Sequence, residues 1–263
     1  MARGAYGFGI ARTLQPVKSR ARLAGLCELM TRDLGVVFLP QHADSYHELV
    51  RDFDRGATAV AWMPPLPCIE VEKRQSGASV VLPVRSGSMT YFSALVACRT
   101  RGPRTLADVK KLKVAWVDPE SSSGYLVPRL HLQAHGRSLR AMFDDEIMAG
   151  SHEAVLDAVE GGRADVGATY CASKAPRWMR SNGVQRPLEA LTVTGPIPND
   201  AILVSPKLPA DVRSQITRWF VSLQEDRARQ LSAELLNATE FRVASFGHFG
   251  PLRQLIAATS SAS

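Results

Sequence analysis

Short apolar runs alternate with amphipathic segments along the whole chain, a rhythm that predicts an α/β fold with largely parallel sheets. Tyr6–Ala11 is an apolar run followed by Pro16, a first strand entering a helix. Over residues 19–34, Leu23, Leu26, Cys27, Met30 and Leu34 recur at helical spacing. Gly35 is the stop of that helix, and 36–39 reads as a buried strand. Ser45, with Glu48 three residues on, has the pattern of a capping box, opening a helix that ends at Gly56. Residues 57–62 return as a strand, after which Pro64, Pro65 and Pro67 predict a loop. Ser79–Pro83 and 91–98 are further strands, Thr105 with Asp108 caps a helix, and 113–117 is a strand again.

The second half repeats the alternation. A polar loop at 118–124 leads into a helix at 125–135, and 151–161 is a second helix. Residues 164–169 form a strand, 195–205 a proline-broken loop running into a strand, and 211–223 a helix. No internal repeat and no long linker interrupts the pattern. Two lobes without a flexible spacer imply a chain that crosses between them more than once. The expected crossings are 98–103 and 194–200, giving residues 1–98 with 200–263 as one lobe and 103–195 as the other. A cleft between such lobes is where a ligand is expected.

Composition narrows the class. Hydrophobic residues make up 45% of the 263 and charged residues 22%, which excludes a disordered or fibrous chain. A net charge of +7, mostly arginine, concentrates anions near the surface. There is no zinc-finger spacing, RNP-like strand or dense basic run, so nucleic acid is not an expected partner. The basic residues between Arg12 and Arg22 read as the solvated face of the first helix. The four cysteines are scattered among apolar neighbours, as buried free thiols are. No apolar stretch is long enough to span a membrane. Met1 to Pro16 contains Arg3 and Arg12 but no apolar run of leader length, so as written the chain reads as cytoplasmic. A periplasmic or lipid-anchored chain whose leader had been removed would read the same.

The most informative stretch runs from Val114 through Asp118, Pro119 and Ser121, Ser122, Ser123 to Gly124 and Pro128. A strand ends, three serines turn the chain, and a helix begins. Bare amides at a helix start, serine hydroxyls and a glycine that admits close approach make an uncharged anion cradle. The same residues also suit an ordinary serine N-cap. Further on, Ser151 caps a helix whose first residue is His152, where the ring can donate to an anion or simply face solvent. His131 and His135 have metal-binding spacing, but no third ligand lies near in sequence, so both read as solvated and no metal is expected. No nucleophile elbow, P-loop or zinc-protease motif is present, and catalytic residues and cofactors are expected to be none.

Taken in order, these segments resemble the phosphonate-, phosphite- and phosphate-type binding proteins of ABC importers. The resemblance rests on the serine turn with Gly-Tyr-Leu-Val-Pro after it, Gly150-Ser-His-Glu, Ala164-Asp-Val-Gly-Ala, and Asp44-Ser-Tyr-His-Glu with Val60-Ala-Trp-Met-Pro-Pro. It covers roughly residues 6 to 255. It implies a type II periplasmic-binding-protein fold, closing on a small anionic ligand and delivering it to an ABC permease. By the same resemblance the ligand residues are Ser121, Ser122, Ser123, Gly124, His152, Tyr91 and Tyr46. Asp200 matches an acidic residue able to pair with an aminophosphonate's amine. Where aminophosphonate binders carry a glutamate, however, the stretch Thr169-Tyr-Cys-Ala-Ser-Lys174 has no carboxylate. The alternatives on this fold are a cytoplasmic sensory module with a signalling partner and an enzyme making cofactor precursors.

Overall fold

Apolar runs become strands here because the intervening amphipathic helices cover the faces of the sheets they form. A computed structural model describes residues 4–11 and 16–260, so Arg3 and Arg12 lie outside the described residues. The chain divides into a first unit, Met1–Thr90 with Pro198–Phe249, and a second, Tyr91–Ile197 with Gly250–Ser263.

The elements begin with β1 (Tyr6–Ala11), α1 (Pro16–Leu34), β2 (Phe38–Ala43), α2 (Tyr46–Arg55), β3 (Val60–Met63), α3 (Pro65–Arg74) and β4 (Ser79–Pro83). There follow β5 (Thr90–Cys98), β6 (Leu112–Trp116), a π-turn at Ser122–Leu126, α4 (Val127–Ala134) and α5 (Leu139–Met142). Next come β7 (Phe143–Met148), α6 (His152–Glu160), β8 (Val166–Cys171) and β9 (Leu188–Pro198). The chain ends with β10 (Ala201–Val204), α7 (Ala210–Val221), α8 (Asp226–Leu236), β11 (Phe241–Ala244) and α9 (Gly250–Ser260).

The first sheet has the order β11-β4-β10-β3-β1-β2. β1 runs parallel to β2 and β3, while β10 and β11 are antiparallel to their neighbours. Leu23, Leu26 and Met30 of α1 share one buried cluster with Ile216 and Phe220 of α7 and with Phe8 of β1. The second sheet has the order β7-β6-β8-β5-β9. β6 is parallel to β7 and β8, and β5 is antiparallel to β8. Side chains alternate along β6, so Ala115 packs with Val155 and Val159 of α6, while Val114 and Trp116 pack with Leu132 of α4 on the opposite face.

The sheets are thus mixed rather than largely parallel, because strands adjoining both unit boundaries run against the βα units. The second boundary, between Ile197 and Pro198, falls within the expected 194–200, but the first lies between Thr90 and Tyr91 rather than at 98–103, and residues 250–263 belong to the second unit. β5 pairs with β8 and so belongs to the second unit, and α9 packs on α4. The triple-proline stretch is not a loop. Pro64 is the N-cap of α3 and Pro65 its first residue, and first-turn residues have no intrahelical use for an N–H, so prolines are tolerated there. The helix capped by Thr105 is a single 3-10 turn, Leu106–Asp108, with its capping box in place.

Gly167 of β8 faces α6: a Cβ there would meet Val155 Cγ1 at 2.6 Å and Val159 Cγ2 at 2.8 Å. The bare strand surface sets how closely α6 docks. Gly167→Ala is expected to lower stability by about 1–3 kcal/mol, as overpacking does, measured as a shifted urea midpoint with an unchanged slope.

Candidate anion-binding site

In a sheet with parallel strands, the carboxyl ends of the strands are where helix starts collect. β6 ends at Trp116 and β7 at Met148, side by side, and the pairing continues past both ends. The Ala149 amide donates to Trp116 O at 2.7 Å and the Gly150 amide to Val117 O at 2.8 Å. Gly150 turns with φ +82°. This brings the start of α6 beside the serine turn, and the turn also packs against β8.

The serines divide into two roles. Ser121 is a cap: its Oγ accepts the Gly124 amide at 3.1 Å, and its carbonyl accepts Leu126 N–H at 2.9 Å. The Gly124 amide is therefore not bare, contrary to the expectation from sequence. Nor does Gly124 serve close ligand approach, because a Cβ there would meet Val117 Cγ2 at 2.2 Å and Ser121 Oγ at 2.8 Å. Its absent side chain lets the turn lie against Val117. Among the described residues, the amides and hydroxyls of Ser122 and Ser123 have no hydrogen-bond partner. Both residues are buried.

The turn is a π-turn rather than the first turn of a helix beginning at 125, and Pro128 explains why. It has no N–H to offer the Gly124 carbonyl, which accepts from Val117 N–H at 3.1 Å instead. From below, the fully buried Ser93 donates its hydroxyl to Ser123 O at 2.7 Å.

His152 is oriented by β8. Its Nδ1 receives the Tyr170 amide at 3.4 Å and lies 3.1 Å from Thr169 Oγ1. A backbone N–H only donates, so Nδ1 is the acceptor and the proton of the neutral ring sits on Nε2. Tyr170 packs edge-on to the ring, with centroids 4.9 Å apart. Burial pushes the imidazole pKa down to about 4, against a smaller upward pull from Asp118. At neutral pH His152 is thus an uncharged N–H donor.

Tyr91, half-buried at the start of antiparallel β5, lies at the same end of the second sheet as these groups. The structure places Tyr46 and Asp200 in the first unit. Tyr46 is the half-buried first residue of α2, behind Ser45, whose Oγ accepts the Glu48 amide. Asp200 is ion-paired with Arg85 at 3.8 Å. Burial raises its carboxyl pKa and Arg85 opposes that rise. Arg85 also donates to Leu236 O and Asn237 O and lies over the Trp62 ring.

Sequence reasoning missed Ser93, Thr169, the Tyr170 amide and Arg85. Only Ser93 left a trace, as a lone hydroxyl ahead of the apolar Ala94-Leu-Val run. His131 is not solvated: it is half-buried, and burial followed by His135 lowers its pKa. The four cysteines are free and buried. Among the described residues, no helix is long and apolar enough to cross a membrane.

Two α/β units, one of them presenting uncharged donors at the carboxyl end of its parallel strands, define a ligand-binding protein of the periplasmic-receptor class. The family described as ABC transporter, phosphonate, periplasmic substrate-binding protein matches residues 8–248, and this chain belongs to it. It is 24% identical over 256 residues to the phosphonates-binding periplasmic protein of Escherichia coli (strain K12), covering 95% of this chain and 75% of that one. It is similar in fold to PhnD1 from Prochlorococcus marinus (MIT 9301), solved in complex with methylphosphonate, with a TM-score of 0.71 at 15% identity over 97% of this chain and 98% of that one. A binding protein component of an ABC phosphonate transporter from Pseudomonas aeruginosa gives 0.70 at 20% identity, over 99% and 88% of the two chains. Those likenesses, at such identities, are of type II fold.

Two outcomes check this geometry. Ser121→Ala, which removes a cap, should lower stability by about 0.5–2 kcal/mol, read from denaturant melts. His152 has a folded pKa below its unfolded value, so its contribution is complete above pH 6.5 and is lost as pH falls toward 4. The melting temperature of the wild type minus that of His152→Asn should therefore decrease steadily between pH 6.5 and 4.5. A flat difference would refute a neutral buried ring.

Proposed function

We propose that this chain binds a small phosphonate at the second unit's serine turn and hands it, chemically unaltered, to an ABC permease. The observation that carries this reading is that Ser122 and Ser123 keep donors no protein group takes, in a turn that follows β6, while α6, which follows the neighbouring β7, begins with a neutral His152 whose Nε2 holds the proton. Phosphonate oxygens are strong acceptors, and hydrogen bonds in which one partner is ionised are roughly twice as strong as neutral ones. Amides held at the start of a helix also meet the anion with the positive end of the helix dipole. A site of neutral donors releases its ligand more readily than one built on a lysine or arginine clamp, which suits a receptor that must give up its cargo.

Tyr91 extends the donor set from the same end of the sheet. Tyr46 and Asp200 enter through the family resemblance, as first-unit ligand residues. Membership of a periplasmic receptor family favours binding over turnover.

Isothermal titration calorimetry with methylphosphonate, phosphate and sulfate tests the reading. Methylphosphonate should bind with the highest affinity and be recovered intact. Replacing Ser122 and Ser123 together by alanine removes two hydroxyl donors, and hydrogen bonds to charged groups are worth about 1.5–3 kcal/mol each. The double variant should weaken methylphosphonate by at least about tenfold; an unchanged affinity would sink the assignment of the turn.

A further inference from the structure

Beyond His152, the second unit holds a groove of about 490 Å³ that the serine turn does not line. His152, Thr169 and Tyr170 form one end, and the segment after β8, with Ser173, Arg177 and Met179, forms the other. Its charges are informative. Glu153 is the carboxylate on the wall, and it is ion-paired with Arg186, which also binds Asp157 and Glu160. Arg177 is exposed and makes no ion pair or hydrogen bond among the described residues. Lys174, also exposed, stands in the same segment and is equally unpaired. The groove thus joins an uncharged donor, the His152 ring, to an arginine with an unused fork of N–H groups.

Arg180 and Arg186 tie the far part of this segment to α6 through Glu160, so the arm carrying Arg177 is anchored to the helix that begins with His152. Separately, in the first unit, Asp200 is ion-paired with Arg85. No candidate ligand residue on this chain therefore offers a free carboxylate to an amine.

We infer that the groove beside His152 receives a second anionic group on the ligand, with Arg177 as its specificity-determining residue. The ligand class is then a phosphonate bearing a carboxylate or a second phosphoryl group, rather than an aminoalkylphosphonate. This rests on the phosphonate reading above and narrows it. Guanidinium meets a carboxylate through two parallel N–H···O bonds. Because Arg177 is exposed, the pair contributes only about 1 kcal/mol, or about fivefold in affinity.

Calorimetry on the full chain with methylphosphonate, phosphonoacetate and 2-aminoethylphosphonate decides the matter. Phosphonoacetate should bind about fivefold tighter than methylphosphonate, and 2-aminoethylphosphonate more weakly than either. In Arg177→Ala the ratio of the phosphonoacetate and methylphosphonate constants should fall to within about twofold, and Arg177→Lys should restore part of it. Added salt should shrink the wild-type preference, since an exposed pair is screened. Equal affinities in the wild type, or a preference that survives Arg177→Ala, overturns the inference while leaving the phosphonate site standing. If none of the three compounds binds, the phosphonate reading falls and the inference falls with it.

Discussion

The arrangement of the second unit depends on one constraint: the parallel pairing of β6 with β7 is prolonged by two backbone hydrogen bonds beyond the ends of both strands. Ala149 and Gly150 donate to Trp116 and Val117, so the chain cannot leave β7 until it has passed the end of β6. The start of α6 and the serine turn are thereby placed at neighbouring strand ends by the ladder itself. Hydrogen-bonded main chain positions a donor more exactly than a flexible side chain, whose ordering costs rotamer entropy. Gly150 and Gly124 serve this arrangement in different ways, one through its positive φ and the other by leaving room for Val117.

Around that frame, the donors themselves are uncharged. The serines carry no charge, and burial keeps His152 neutral, while the Tyr170 amide fixes which ring nitrogen holds the proton. The carboxylates of α6, including Glu153 beside His152, are engaged by Arg186, only 4% exposed, which holds Glu153, Asp157 and Glu160. A buried guanidinium among carboxylates is poor evidence of stability but is an effective register pin. Here it joins the segment after β8 to the helix that carries His152. The long excursion between β8 and β9 is therefore held in place by these ion pairs together with the buried Trp178, which packs in the cluster of Val155, Leu156 and Val159.

Much of the fold was legible because burial and periodicity coincide. β1 and β4 were read with their observed bounds, and the ends of α2 at Ser45 and Gly56 carry the caps that predicted them. The failures have physical causes. β7, Phe143-Asp-Asp-Glu-Ile-Met148, has no hydrophobic alternation because it is an edge strand, and its carboxylates pair with Lys111, Lys113 and Arg129 instead of facing a core. α3 was hidden by prolines that are harmless in a first turn. β9 was hidden by its half-buried, mixed composition.

The sequence by itself determined the α/β class, the family, and the three serines and His152 as candidates, because caps, glycine stops and serine turns act locally and leave local signatures. It could not divide the serines. That Ser121 is consumed as a cap while Ser122 and Ser123 keep their donors follows from a π-turn forced by Pro128 and closed onto Val117. It could not set the state of His152, which depends on burial and on an amide 18 residues away. Nor could it show that Asp200 is engaged by Arg85, 115 positions earlier in the chain. Local chemistry names the candidate groups, but protonation, pairing and exposure are properties of neighbours, and only tertiary structure supplies the neighbours.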